Sequence, residues 1–242
     1  MSSHLYNSRL GKVVWFVRRF GLSELFLKPL RCIFAPLVIP RLPKCKFNFN
    51  GRMLSLFYHS YNMTWVNERA VEIPIIRDYL NHCEPEHVLE IGNVLSHYGS
   101  VSHTILDKFE RGQGIINEDI LDFVSADKFK LIVSISTFEH IGFDDEVDGE
   151  SGVKILHAID ASRNLLTENG RLVLTLPIGY NPSLDHMIMD NQIDCTRSFF
   201  ICRKGKLQWE ATSSDQAMEC RYGSPFPYAN AILVAEFLGS SE

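Results

Sequence analysis

What the first fifty positions lack is acid. Nine lysines and arginines stand there against one carboxylate, Glu24, so the segment carries a formal charge of +8. The remaining residues carry −13 and bring the chain to −5. An apolar run long enough for a membrane span is also missing. The longest uncharged stretch in this region, Cys32–Pro40, holds nine residues and two prolines, whereas a span needs about 20. Arg18, Arg19 and Glu24 interrupt the apolar residues and leave no signal-peptide core. The six cysteines (Cys32, Cys45, Cys83, Cys195, Cys202, Cys220) include no CxxC pair and no metal spacing, which argues against a zinc ribbon or a dithiol redox centre. A chain of 242 residues does not depend on a disulfide framework, so reduced thiols in a cytoplasmic setting are expected. No internal repeat or low-complexity tract is present, which excludes a solenoid. The acidic body opposes nucleic acid as a partner, since that needs a basic face.

What is present suits a packed domain: 45% of the residues are hydrophobic and 22% charged. Two regions are expected, a basic and apolar extension over 1–50 and an α/β domain over 51–242. Within the extension, Val13, Val14, Phe16, Val17 and Phe20 fall near helical spacing beside Lys12, Arg18 and Arg19. Such a helix could lie on an anionic membrane surface through residues 1–40, or pack on the domain with its bases in water.

Residues 41–62 read as irregular, with "FNFNGR" as a turn and "MLSLFYHS" as a short apolar segment. Residues 63–82 read as helical. Val71, Ile75, Ile76, Tyr79 and Leu80 fit a stripe, and Thr64 or Asn67 could cap. Pro74 demands a kink or a late start. From residue 87 the pattern alternates. Strands are expected over 87–92, 103–109, 113–120, 129–137 and 171–178, a helix over 152–166 closed by Gly170, and a last strand over 229–238. That order implies a doubly wound, mostly parallel sheet.

Ligands of such sheets bind beyond the carboxyl ends of the strands, near the point where strand order reverses. The sequence puts Glu90, Gly92 and Asn93 after the first strand, Asp107 at the end of the second, and Asn117, Glu118 and Asp119 in or after the third. Ser136, Thr137, Phe138, Glu139 and His140 follow the fourth strand, and Gly179, Tyr180 and Asn181 the fifth. Carboxylates at successive strand ends can accept hydrogen bonds from a ribose diol and an adenine amine.

"VLEIG", an acidic end to the second strand, "INEDILDF", "FKLIVSISTFEHIG" and "SRNLLTENGRLVLTLPIG" follow one another here. In order and spacing they resemble the successive motifs of class I S-adenosylmethionine-dependent methyltransferases over roughly residues 85–180. The resemblance implies a Rossmann-like fold and S-adenosylmethionine as cofactor. It makes Glu90 and Gly92 the acid and first glycine of the cofactor turn, with Asn93 beside them. Asp107 becomes the ribose acid and Asp119, or else Glu118, the acid near the adenine amine. The segment Ser136–Glu139 lines the methionine side. Two further glycines of the family's turn are replaced by Val94 and Ser96. Only eleven residues, 93–103, separate the first two strands, so the usual first helix must be very short or replaced by a loop.

His140 is the candidate base for an acceptor hydroxyl, with Glu139 beside it as a second catalytic candidate. His59, Tyr61 and His97 are alternatives. Arg69 and Tyr180 are candidate substrate contacts. Arg69 could clamp an anionic acceptor, or pair with Glu72 or Glu68 on the helix surface. "RYGSPFPYAN" (221–230) could wall the acceptor pocket. "FDDEVDGE" (143–150) reads as acid at a helix N-terminus rather than as a metal site. The expected function is methyl transfer to a hydroxyl of a small-molecule, glycan or lipid-linked acceptor, at a membrane periphery. The alternative is an inactive methyltransferase-like binding protein at such a surface.

Overall fold

The structure, a computed structural model, describes residues 22–143 and 151–239. Helix α1 covers Leu22–Val38, and a hairpin pairs β1 (Lys46–Phe49) with β2 (Arg52–Ser55). Helix α2 (Arg69–Leu80) precedes the main sheet. The sheet is built from β3 (Val88–Ile91), β4 (Thr104–Leu106), β5 (Ile115–Ile116), β6 (Phe129–Ile135), β7 (Leu166–Pro177), β8 (Arg197–Gly205), β9 (Gln208–Thr212) and β10 (Ala231–Leu238). Between these strands lie α3 (Ser151–Asn164), α4 (Pro182–Met189) and α5 (Ser214–Met218). The strand order is β5-β4-β3-β6-β7-β10-β8-β9. Neighbours from β5 to β7 pair in parallel, while β10 runs antiparallel between β7 and β8. Six of the eight strands therefore point one way, as in a Rossmann-like, doubly wound sheet.

The chain starts at the middle of this sheet, fills β4 and β5 on one side, then returns to β6 and β7 on the other. The reversal point thus lies between β3 and β6. Both faces are covered, which is why the central strands are apolar at nearly every position. Leu131, Val133 and Ile135 of β6 meet the hairpin and α2, while Ile132 faces the core that includes Ile155, Leu184 and Ala217 from α3, α4 and α5.

Three local expectations are corrected. The region 41–62 is not irregular throughout: the turn read in "FNFNGR" is present, with Asn50 and Gly51 at positive φ (49° and 80°), but it closes a hairpin of two strands. This hairpin straddles the boundary expected at residue 50, and its Phe47 and Phe49 are buried. The single helix expected over 63–82 is two elements, a 3-10 segment Tyr61–Val66 and α2, separated at Asn67, whose backbone is extended (φ −132°, ψ −179°). Gly170 does not cap α3, which ends at Asn164. Gly170 lies in β7, where a Cβ would meet Thr167 O at 2.8 Å and Phe129 O at 2.9 Å.

Pro74 sits inside α2 without breaking it. A proline cannot donate to the carbonyl four residues back, here that of Ala70. Phe57 N–H takes that carbonyl instead, at 2.9 Å. The short β3–β4 connection holds a single 3-10 turn, Leu95–Tyr98, where a first helix would stand. Most of the acidic run at 143–150 lies outside the described residues. No helix among the described residues is long and apolar enough to cross a membrane, no group of three or more His, Cys, Asp or Glu among them could hold a metal, and all six cysteines are free.

Candidate functional site

Gly92 leaves β3 at φ +86°, a conformation that favours glycine. Space demands glycine as well, because a Cβ there would lie 2.2 Å from Thr137 Oγ1. The loops that leave β3 and β6 therefore touch at the reversal point. Beside this contact opens a cavity of about 240 Å³, lined by Gly92, Asp107, Asp119, Thr137, His140 and Lys154 among others. It lies where ligands of open parallel sheets bind.

The acids around the turn have different tasks. Glu90 is fully buried behind the loop. Its Oε1 accepts the N–H groups of Val94 (3.0 Å) and Leu95 (2.8 Å), and its Oε2 meets His103 Nε2 at 2.7 Å. Asp107 Oδ2 accepts Asn93 N–H at 2.8 Å, and Oδ1 accepts Phe109 N–H (2.8 Å) and Glu110 N–H (2.7 Å). The buried Asn93 also accepts the Ser96 hydroxyl. The N–H groups that a glycine-rich loop would offer to a ligand are here taken by the protein's own carboxylates. A carboxylate offers about four acceptor positions, so Asp107 keeps one. Asp119 keeps more. It accepts Leu121 N–H at 3.0 Å and pairs with Lys108 Nζ at 2.8 Å. Partial burial opposes its ionisation, but Lys108 and the Leu121 N–H outweigh that and hold its pKa below the usual range. Glu118 lines the same cavity, exposed.

A buried charged group adjoins this turn. Ser136, at φ +39°, donates its hydroxyl to Glu72 Oε1 at 2.6 Å, so its side chain is committed to α2. Glu72 Oε2 holds Arg69 at 2.9 Å. The pairing anticipated for the helix surface exists, but it is buried: the Arg69 side chain is 13% exposed and that of Glu72 not at all. Burial opposes the charge on Arg69, yet Glu72 and Glu68 overcome it and raise its pKa. Glu68 accepts Ala229 N–H at 3.0 Å, which ties α2 to the start of β10. Glu139 is 1% exposed, and its Oε2 has no hydrogen-bond partner. Burial pushes its pKa up to about 7, against the pull of His140 and Arg69. His140 Nε2 lies 3.6 Å from Glu139 Oε1, so the two expected catalytic candidates are neighbours, though only His140 lines the cavity.

Tyr180 is buried, and its ring meets those of His140 (4.8 Å between centroids) and Tyr222 (5.4 Å) edge to face. The 221–230 segment thus abuts the site through Tyr222. Asn181 anchors the same wall, donating to Glu139 O at 2.9 Å and capping α4. The alternative bases His59, Tyr61 and His97 gather elsewhere, around Tyr98. Tyr61 stacks on His97 at 4.5 Å, and His97 Nε2 meets Glu110 at 3.2 Å.

The sequence reading missed Lys154, which reaches the cavity from α3, and the tasks of two residues it had named. Thr137 fixes the glycine requirement at position 92, and Glu72 is a buried acceptor for both Arg69 and Ser136. A signal for Glu72 existed, since it stands one helical turn before Ile76 on a stripe otherwise apolar.

No protein-family model matches the chain, and no curated protein does. Solved structures do. The N-methyltransferase NodS from Bradyrhizobium japonicum WM9, in complex with S-adenosyl-L-homocysteine, is 17% identical. That match covers 72% of this chain and 88% of NodS with a TM-score of 0.46. An rRNA methylase from Streptococcus thermophilus is 12% identical over 70% of this chain and 97% of its own, with a TM-score of 0.39. The plantazolicin methyltransferase BpumL, solved with a triazolic desmethylPZN analog and S-adenosylhomocysteine, is 11% identical over 70% of this chain and 83% of its own, with a TM-score of 0.38. All three similarities are distant.

Proposed function

We propose that the protein is a methyltransferase that uses S-adenosylmethionine and methylates a hydroxyl of a small-molecule, glycan or lipid-linked acceptor. One observation carries this reading: Gly92, Asp107, Asp119, Thr137 and His140 meet around one cavity at the reversal point of the sheet. The donor set fits an adenosyl group. Gly92 lets the loop leaving β3 pack against Thr137 at the edge of the cavity, where a Cβ would clash with the Thr137 hydroxyl. Asp119, ionised and with acceptor positions left, suits an amine or a diol, and Asp107 can add one contact. The residual capacity makes Asp119 the stronger of the two.

When bound, S-adenosylmethionine supplies an electrophilic methyl group for in-line displacement, so the protein's main contribution is orientation. Tyr180 and Tyr222 wall the acceptor side. His140 takes the acceptor proton, and Glu139 acts through it, stabilising the imidazolium from 3.6 Å away. Arg69 is committed to Glu72 rather than clamping an anion, and Glu72 Oε1 takes the Ser136 hydroxyl, which holds α2 to that loop.

Membrane attachment is part of the same proposal. Leu27, Leu30, Ile33, Phe34, Leu37 and Val38 lie exposed along α1, while Ala35 packs on Met63, Trp65 and Tyr228. An apolar stripe beside a basic segment suits the interface of an anionic bilayer.

Calorimetric titration of the parent chain with S-adenosylmethionine tests the enzyme reading. Saturable binding is expected, weakened about tenfold by Asp119→Ala, as for loss of a charge-assisted hydrogen bond. A folded parent chain that gives no heat at millimolar ligand sinks the enzyme reading in favour of a binding protein without cofactor.

A further inference from the structure

A second cavity, of about 510 Å³, opens at the other end of the sheet. It lies where β6, β7 and β8 begin and the antiparallel β10 ends, under the turn of the β1–β2 hairpin. Arg171 and Arg197 line it, and their positions follow from strand register: Arg197 pairs across with Glu236, and Arg171 with Leu238, both on β10. Glu236, with a side chain 3% exposed, lies 3.9 Å from Arg171 and 3.7 Å from Arg197 through the same Oε2. Its other oxygen accepts the Tyr79 hydroxyl. One carboxylate cannot neutralise two guanidinium groups, so this trio keeps a positive charge.

The two arginines are also held in place. Arg197 donates to Asn50 Oδ1 at 3.2 Å and stacks over Phe199 at 4.9 Å, and Arg171 lies 5.9 Å from the centre of the Tyr79 ring. A fixed guanidinium loses less entropy when it binds an anion. Both side chains remain nearly half exposed, so they stay accessible from the cavity. Lys130 adds a further cation, whereas Arg52 is neutralised by Asp78 at 2.8 Å. Glu84 also lines the cavity, exposed, and offsets part of this charge. Phe49 and Leu131 supply an apolar wall.

We propose that this cavity binds a small organic phosphate, with the phosphate on Arg171 and Arg197 and the organic part against Phe49 and Leu131. Paired guanidinium groups match phosphate oxygens in geometry and charge, and the volume is that of a small-molecule site. The site uses the opposite strand ends from the Gly92 cavity and is independent of the methyltransferase reading.

Phenyl phosphate, titrated calorimetrically into the full chain at low salt, is the probe. Saturable binding is expected, reduced about tenfold or more in Arg171→Gln/Arg197→Gln, in line with the loss of charge-assisted contacts. Because those arginines also balance Glu236, Lys130→Ala serves as a second variant, with binding reduced severalfold and the fold intact. S-adenosylhomocysteine should not displace the probe. The proposal is overturned by absence of binding at millimolar phenyl phosphate, by equal binding in the folded variants, or by displacement with S-adenosylhomocysteine.

Discussion

At Gly92 two demands coincide, a left-handed backbone and a gap too narrow for a methyl group. Gly92→Ala should cost on the order of 1–3 kcal/mol from backbone strain alone, and more from the clash with Thr137. Denaturant unfolding of the single and double variants separates the two parts. Thr137→Ala should recover some of the loss in the double variant, because residues in contact couple. Strictly additive losses would show that the contact is unimportant.

Glu139 makes a pH-dependent prediction. Its folded pKa of about 7 lies above its ordinary 4.5, so the folded state keeps the proton longer than the unfolded state. The resulting penalty is absent below about pH 4.5, grows toward pH 7 and is constant above. Glu139→Gln carries no such penalty. Its stability relative to the parent should therefore rise by up to ~3 kcal/mol between pH 4.5 and pH 8, measured by urea unfolding. A flat difference would mean that Glu139 titrates normally. "LEIG" made the Gly92 turn legible in sequence. The capture of the Asn93, Val94 and Leu95 N–H groups was not, because it depends on where the carboxylates of Glu90 and Asp107 point in three dimensions.

Among the elements, α2 is stabilised in an unusual way. Replacing a proline inside a helix ordinarily gains about 3 kcal/mol. Pro74→Ala should gain little, since Phe57 N–H already occupies the Ala70 carbonyl. A gain near the full value in thermal unfolding would mean that the Phe57 bond contributes nothing. Pro74 pointed to a kink or a late start, but the long-range Phe57 contact that keeps α2 continuous through it was not legible. The turn of the β1–β2 hairpin was legible in "FNFNGR", but its strands were not, because they are four residues each and lie between irregular segments. For α1, Ile33→Asp with Phe34→Asp should abolish flotation with anionic liposomes and leave S-adenosylmethionine binding unchanged. Undiminished flotation would remove α1 from the membrane proposal.

In the molecule as a whole, the doubly wound sheet was readable because strands covered on both faces leave uninterrupted apolar runs. The antiparallel insertion of β10 between β7 and β8 left no such mark, and neither did the β8–β9 edge hairpin. The position of the candidate site was legible through the fold, since Gly92, Asp107, Asp119, Thr137 and His140 stand at or just beyond strand ends and line one cavity. Glu90, Asn93, Ser136 and Glu139 shape its surroundings from behind. The most direct test is a crystal structure of the full chain grown with S-adenosylhomocysteine. The adenosyl group should lie in the cavity beside Gly92, with Asp119 contacting the ribose or the adenine amine. Ligand density confined to the cavity beneath Arg171 and Arg197, or none at saturating concentration, would contradict the proposed cofactor site.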